Sequence, residues 1–296
     1  MTQQEQARHY FRSAAADWQD KAVNAAGDYS VIDARNRAVL DVVLRSQAAA
    51  RLLDVGCGTG QLVISAARHG LEAEGIDFAD EMVAQCQVNA VAAGVSARFL
   101  GGSFFDAHFE PKSYDVISAQ GFIEYISPQQ TDEFFRRCAA MLRPGGALAV
   151  GSRNRLFNAF SLNDFTRLEA EIGILGTLVA EAGVWQQNAS LEAALNALRR
   201  YERIDPQLDR HPLTGVPVET RYQYCPADLI YRLRHCGLEV RTVYPVHFHG
   251  LPPAVKAEHP RLHSQIALSV AEIGFRDHRL LPFSSSFVIE ARRAPG

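Results

Sequence analysis

The segment Leu53-Asp54-Val55-Gly56-Cys57-Gly58-Thr59-Gly60 constrains this chain more than any other. An apolar run ends in an acid, continues into glycines at every second position, and leads into the helical pattern Gln61 to Arg68. That order reads as a strand over Arg51 to Val55, a sharp turn and a helix. Glycine lets the backbone turn and approach a ligand where a β-carbon would collide. A second unit follows at once, its strand Glu72 to Ile76 closing on Gly75-Ile76-Asp77-Phe78. A carboxylate at that strand end is placed to accept hydrogen bonds from both hydroxyls of a ribose.

The alternation extends in both directions. Helical patterns cover Ala34 to Leu44, Glu81 to Ala93 and Gln129 to Met141; strand patterns cover Ala97 to Leu100, Tyr114 to Ser118 and Ala147 to Ser152. The turn Arg143-Pro144-Gly145-Gly146 precedes the last of these. Strands alternating with helices predict an α/β fold, a parallel sheet covered on both faces with its ligand crevice at the carboxyl ends of the strands. The glycine spacing is GxGxG headed by an acid, whereas dinucleotide folds carry GxGxxG, which sets hydride transfer with a nicotinamide aside. With 47% hydrophobic and 21% charged residues the chain has material for one large domain with an elaboration. A net charge of −3 gives no global attraction to nucleic acid or to an anionic membrane. The N-terminal stretch has no apolar signal-like region, and no apolar run approaches the roughly 18 residues that span a bilayer, so a cytoplasmic protein is expected. Five scattered cysteines without CxxC pairs point to neither a disulfide framework nor zinc.

From about residue 32 to residue 153 the chain resembles the class I S-adenosylmethionine (SAM)-dependent methyltransferases. Their fold is a Rossmann-like seven-stranded sheet, the seventh strand antiparallel, with helices on both faces. The resemblance implies that Asp54, Gly56, Cys57, Gly58 and Gly60 frame the methionine end of SAM, with Asp77 on the ribose and Phe78 and Met82 beside the adenine. Many relatives have Gly-Asp after the third strand. Here Leu100-Gly101-Gly102-Ser103-Phe104 stands there, which leaves Ser103 and Phe104 either as adenine contacts or as plain loop. Gln120, in the segment Ala119 to Ile126 after the fourth strand, lines the donor pocket in the same comparison. That segment lacks the Asn/Asp-Pro-Pro-aromatic motif of base-amino methyltransferases. The acids that would converge on a magnesium ion are also missing, so no metal is expected.

Beyond the fifth strand, Asn154-Arg155 and Pro226-Ala227-Asp228-Leu229 resemble the brackets around the acceptor cover in ubiquinone-biosynthesis-type small-molecule O-methyltransferases. The organisation expected is an N-terminal helical cap over 1–45, a SAM-binding core over 46–154, an inserted helical lid over 155–225, and completion of the sheet over 226–296. Within the lid, helices are predicted from Asp164 to Val179 and, behind Ser190, from Leu191 to Tyr201. The last two strands are placed at Leu238 to Pro245 and Ser285 to Arg292. The cap, with Tyr10, Phe11 and Trp18, and the lid are expected to close over bound donor.

Several side chains admit two readings. Arg199, Arg200 and Arg203 are an anion grip or a solvated face, Arg199 and Arg203 sharing one side of the helix. Phe157, Phe160 and Phe165 stack on an aromatic acceptor or pack the lid down, and Arg35 or Arg37 meets the methionine carboxylate or solvent. His247 and His249 follow the sixth strand, whose end opens toward the crevice, and a neutral imidazole is the usual proton acceptor near pH 7. The alternative is a strand end whose histidines bond the backbone. His211 and Glu219 are rival bases in the lid. The function expected is methyl transfer from SAM to an oxygen of a small-molecule acceptor, a secondary metabolite, quinone precursor or sugar, with no nucleic-acid or membrane partner and a homodimer left open. N- or C-methylation, or SAM binding without catalysis, are the alternatives, because fold and donor site are shared among them.

Overall fold

Leu52 and Leu53 are neighbours in sequence and belong to different hydrophobic cores. The same holds for Val116 and Ile117, and for Ala147 and Ala149 against Leu148 and Val150. Successive side chains on a strand point to opposite faces, so strands apolar at every position require cover on both sides of a sheet. The computed structural model, which describes residues 9–12, 19, 30–46, 50–201, 203–208 and 221–293, contains that sheet.

Its seven strands are β1 (Arg51–Val55), β2 (Glu72–Asp77), β3 (Arg98–Gly101), β4 (Tyr114–Gln120), β5 (Leu142–Arg153), β6 (Leu238–Phe248) and β7 (Ser284–Arg293), in the order β3-β2-β1-β4-β5-β7-β6. The pairs among β1 to β5 are parallel; β7 is antiparallel to both β5 and β6. β6 therefore points the same way as β1 to β5, and its carboxyl end shares their edge. One face is covered by α1 (Val31–Arg45) and α2 (Gln61–Arg68), with Cys86 of α3 (Asp80–Ala93). The other is covered by α4 (Pro128–Met141) and, beyond α5 (Asp164–Glu171), which packs on the next helix, by the insert helices α6 (Leu175–Gln187) and α7 (Leu191–Leu198), followed by α8 (Pro226–His235). Helix starts follow their caps: Ser30 accepts from Ile32 N and Asp33 N, and Ser127 with Gln130 forms a capping box on α4.

The first two local departures from the sequence reading have identifiable causes. The single helix expected from Asp164 to Val179 is two, divided at Gly173, whose φ of +77° ends a helical run. Arg143 to Gly146 is not a turn ahead of β5 but lies within it as a bulge: pairing with β4 jumps from Tyr114–Leu142 to Val116–Ala147. The helix from Leu191 stops at Leu198, so Arg199 and Arg203 do not share a helix face. β6 also runs three residues past Pro245, and a helix not expected from the sequence, α10 (Pro260–Gly274), follows the short α9 (Pro253–Glu258).

The insert is joined to the sheet by more than its ends. Leu178, Ala182, Trp185, Leu195 and Leu198 belong to the same buried cluster as Leu148 and Ile289. Arg155, buried just after β5, donates from Nε and Nη2 to the Glu169 carboxylate at 3.0 and 2.7 Å, and from Nη1 to Asp205 O at 2.7 Å. Asn158 Nδ2 adds a third donor to Glu169 at 2.9 Å. Removing one partner of such a pair leaves a buried charge uncompensated. Arg155→Ala is expected to lower stability by about 3–5 kcal/mol, read from urea unfolding; a loss below about 1 kcal/mol would show that the pair is solvated in solution.

Candidate active site

The carboxyl ends of the parallel strands open on a cavity of ≈ 540 Å³. At one end the wall is the β1–α2 turn. Gly56 has φ +71°, and a β-carbon there would lie 3.3 Å from Phe122; Gly60, at φ +87°, starts α2 with its backbone in a region that a side chain disfavours. The turn brings Gly58 N within 3.0 Å of Asp77 Oδ2, while Ala79 N donates to Oδ1 at 3.0 Å. Burial raises the Asp77 carboxyl to about 6 against the pull of these N–H groups. Asp54 is raised to about 7, by burial first and by the Asp77 charge in addition, with the Ser118 hydroxyl opposing. Two buried acceptor oxygens on this wall, Asp54 Oδ1 and Gln120 Oε1, have no hydrogen-bond partner among the described residues. They suit a ligand that brings N–H donors, above all a cationic one.

Phe78, Met82, Ser103 and Phe104 line the same end. Ser103 Oγ accepts from Phe105 N at 3.2 Å, which shapes the turn after β3 and leaves the hydroxyl proton to be donated. Phe104 is 2% exposed in a cluster with Phe105, Phe109, Phe122 and Phe134, with the Arg137 guanidinium over its ring. Cys57 also contributes to the wall, but its sulfur is committed to packing: a β-carbon on Gly75 would lie 2.8 Å from it, and Cys86 Sγ is 3.9 Å away. The Cys86 contact and burial raise the Cys57 thiol, which stays protonated.

At the other end the wall is polar and drawn from segments far apart in sequence. Glu124, 3% exposed, follows β4; its Oε1 accepts from Arg35 Nη2 of α1 at 2.8 Å and from Arg153 N of β5 at 2.8 Å, and Oε2 lies 3.6 Å from Arg221 Nε. Arg35 Nε also donates to Ser286 Oγ of β7 at 2.8 Å. Arg35, Arg153, Arg221 and Tyr125 all line the cavity, and burial raises the Tyr125 phenol to about 12. Arg37 instead lies over the Phe275 ring on the other face. Phe157 and Phe165 line the cavity, with Arg153 above the Phe165 ring, whereas Phe160 packs on Phe283. Arg203 turns to Asp228 and the Tyr231 ring, and Arg199 and Arg200 are exposed away from the cavity.

His247 and His249 line the cavity as well, their rings 5.1 Å apart. His247 adopts φ +57° inside β6, a rare conformation for a residue with a β-carbon, and its Nδ1 is 2.6 Å from Ser285 Oγ. Burial, with the neighbouring cations, lowers His247 to about 3 and His249 to about 4, so both rings are neutral at working pH. His249 stacks on Phe157, and its buried Nδ1 has no hydrogen-bond partner among the described residues. His211, Glu219 and Trp18 lie outside the described residues. Asn154 and Arg155 serve mainly as anchors: Asn154 Nδ2 donates to Leu281 O and Ser284 O at 2.8 Å each. Sequence reasoning did not single out Glu124, Arg153, Arg221, Gln223, Ser285 or Ser286. No short-range pattern marks them, because each reaches the cavity through sheet order or through the return of the chain from the insert. Among the described residues no group of three or more His, Cys, Asp or Glu is placed to hold a metal, and no helix is long and apolar enough to cross a membrane.

The glycine turn, the acid ending β2 and the sheet order coincide in one region of the chain. Residues 52–146 match the family model described as a methyltransferase domain. A ubiquinone biosynthesis O-methyltransferase of Xanthomonas euvesicatoria pv. vesicatoria (strain 85-10) is 35% identical over 155 residues, 51% of this chain and 62% of that protein. The chain thus spans less than two thirds of the curated relatives it matches. Two solved structures share the fold across nearly the whole chain. One is a 1,6-didemethyltoxoflavin-N1-methyltransferase of Burkholderia thailandensis with 1,6-didemethyltoxoflavin and S-adenosylhomocysteine bound, at TM-score 0.57 and 13% identity, covering 98% of this chain and 88% of that one. The other is the magnesium protoporphyrin IX methyltransferase of Synechocystis PCC 6803 with S-adenosylhomocysteine bound, at TM-score 0.55 and 16% identity, covering 99% and 100%. The resemblance carried by the glycine turn and the seven-stranded order with β7 antiparallel agree with these relatives. The matched segment, residues 52–146, covers the wall with Asp54 and Asp77; the polar wall draws on both this segment and later ones.

The raised carboxyls of Asp54 and Asp77 set a pH dependence. A cationic ligand favours ionised Asp54 and Asp77, so their values fall on binding and binding strengthens as pH rises through about 6 to 7, levelling above. Affinity for a cationic ligand of this wall, measured by calorimetry, is expected to weaken from pH 8 to pH 5.5, by up to about tenfold per unit for each carboxyl that must ionise. A flat profile would mean that neither carboxyl faces the ligand.

Proposed function

We propose that this protein transfers the methyl group of SAM to an oxygen of a small-molecule acceptor. The observation that carries the reading is the division of one cavity into two walls. One has the glycine turn, the raised Asp54 and Asp77 and the orphaned acceptors Asp54 Oδ1 and Gln120 Oε1; the other has neutral histidines and aromatic faces. Asp54, Gly56, Gly58, Gly60, Asp77, Phe78, Met82 and Gln120 would hold the donor, with Ser103 and Phe104 at its base end. SAM, when bound, supplies an electrophilic methyl whose carbon–sulfur electron pair leaves on sulfur.

The chain's own residues then have two tasks. Phe157, Phe165 and the arginines around Glu124 orient the acceptor, and closure by the insert excludes water, which together provide the proximity on which such a displacement depends. A hydroxyl acceptor also needs somewhere to send its proton, and His247 and His249 are the neutral imidazoles on that wall. The ubiquinone biosynthesis relative supports oxygen as the acceptor atom.

Calorimetry with SAM and S-adenosylhomocysteine, on the wild type and Asp77→Ala, tests the donor site. Tight binding by the wild type and at least about tenfold weaker binding by the variant are expected, the magnitude of a lost charge-assisted hydrogen-bond pair. Mass spectrometry on a panel of hydroxylated aromatics then reads the gain of one methyl. A folded wild type that binds neither ligand would sink the proposal.

A further inference from the structure

The ends of β6 and β7 hold a pair of contacts that bear on where a ring proton sits. Val246 pairs with Ser286 and Phe248 with Ser284, which sets His247 against Ser285. Ser285 Oγ donates to His247 O at 3.0 Å, and His247 Nδ1 lies 2.6 Å from the same Oγ. A hydroxyl has one hydrogen. With that hydrogen on the carbonyl oxygen, the contact to Nδ1 is a hydrogen bond only if Nδ1 carries a hydrogen and Oγ accepts it. The opposite arrangement would turn the hydroxyl hydrogen to Nδ1 and leave two oxygen lone pairs facing each other at 3.0 Å. In a neutral imidazole one nitrogen is protonated and the other is not, so Nε2 holds the lone pair.

We propose that Ser285 is a positioning residue that fixes His247 as its Nδ1–H tautomer, so that Nε2 is the atom that takes the proton from an acceptor hydroxyl. The role of Nε2 rests on the methyltransferase reading above; the tautomer does not. Two further observations support the assignment. His247 has φ +57° within a strand, a strain of about 1–3 kcal/mol, and outliers of this kind cluster at functional sites. The neighbouring His249 is stacked on Phe157, and among the described residues no hydrogen bond to its Nδ1 fixes its tautomer.

The ring is a weak base, which suits this proton. Burial lowers it to about 3, helped by His249, Lys256, Arg35 and His263, so it stays neutral and able to accept from about pH 4 upward. An acceptor hydroxyl becomes acidic as its oxygen bonds to the methyl carbon, because an alkylated oxygen that still holds its hydrogen is positively charged. It then loses the proton to Nε2 even of a weak imidazole, and the same buried cationic surroundings drive the proton on to water. The ring returns to its neutral Nδ1–H form with Ser285 Oγ as acceptor throughout.

Long-range proton–nitrogen correlation spectra of the full chain labelled with ¹⁵N-histidine read the tautomer directly, with the His247 signals identified by their loss in His247→Gln. A protonated Nδ1 and an unprotonated Nε2 are expected, unchanged between pH 8 and pH 5. Ser285→Ala, its amide spectrum confirming that it is folded, should release the ring to a mixture or to the Nε2–H form, and Ser285→Thr should restore it. On the acceptor that the hydroxylated panel returns, Ser285→Ala should lower kcat about tenfold or more with KM within about threefold, as expected for lost general-base assistance. An Nε2–H ring in the wild type, a tautomer indifferent to Ser285→Ala, or an unchanged kcat would overturn the proposal. Absence of SAM binding by the wild type would instead overturn the methyltransferase reading and leave the tautomer result intact.

Discussion

Glu124 is buried, and its carboxylate is the point at which four separate parts of the chain are held together. Arg35 arrives from α1, the Arg153 amide from the end of β5, Arg221 from the chain returning after the insert, and Glu124 itself follows β4. A carboxylate in such a place is tolerable only when donors converge on it, and here the donors are also the cavity wall. Gly121 belongs to the same arrangement, because a β-carbon there would lie 2.7 Å from the Arg35 guanidinium. The ion pair therefore does more than stabilise: it fixes how far α1, the insert and the sheet edge stand from one another.

How much of this was legible depended on the reach of the interactions involved. The parallel α/β core was readable because its causes are local, whereas seven strands with the last antiparallel were what the family resemblance implied. Glycines at Gly56, Gly58 and Gly60 mark a turn, and apolar runs such as Leu52 to Val55 mark strands covered on both faces. The strand boundaries at β1 and the helix at α2 followed within a residue for the same reason. What failed was also physical. Gly173 divides α5 from α6 by taking a φ of +77°, which the helical pattern around it does not announce, and Gly146 is buried in a bulge against Asp115 O, information held in β4 and not beside the glycine.

The two ends of the cavity divide along the same line. Asp54 and Asp77 stand at strand ends that the sequence announces, each followed by its own turn. Glu124 and Arg221 meet across almost a hundred residues, and Ser285 reaches His247 only because β7 lies beside β6 in the sheet. Nothing near Ser285 in the chain distinguishes it from Ser284 or Ser286. The alternation of the strand sets their directions, and only the paired register decides which serine faces the histidine.

The position of β7 carries a consequence for how the molecule is made. It follows every other strand in the chain, yet it lies between β5 and β6, hydrogen-bonded on both sides. During synthesis the first five strands can assemble while β6 still lacks its neighbour, and the sheet has a gap until residues 284–293 leave the ribosome. Ser285 and Ser286 arrive with that strand, the one at His247 and the other at Arg35. A nascent or prematurely ended chain would thus present the glycine turn without the completed opposite wall, so the two ends of the cavity are acquired at different moments of biosynthesis.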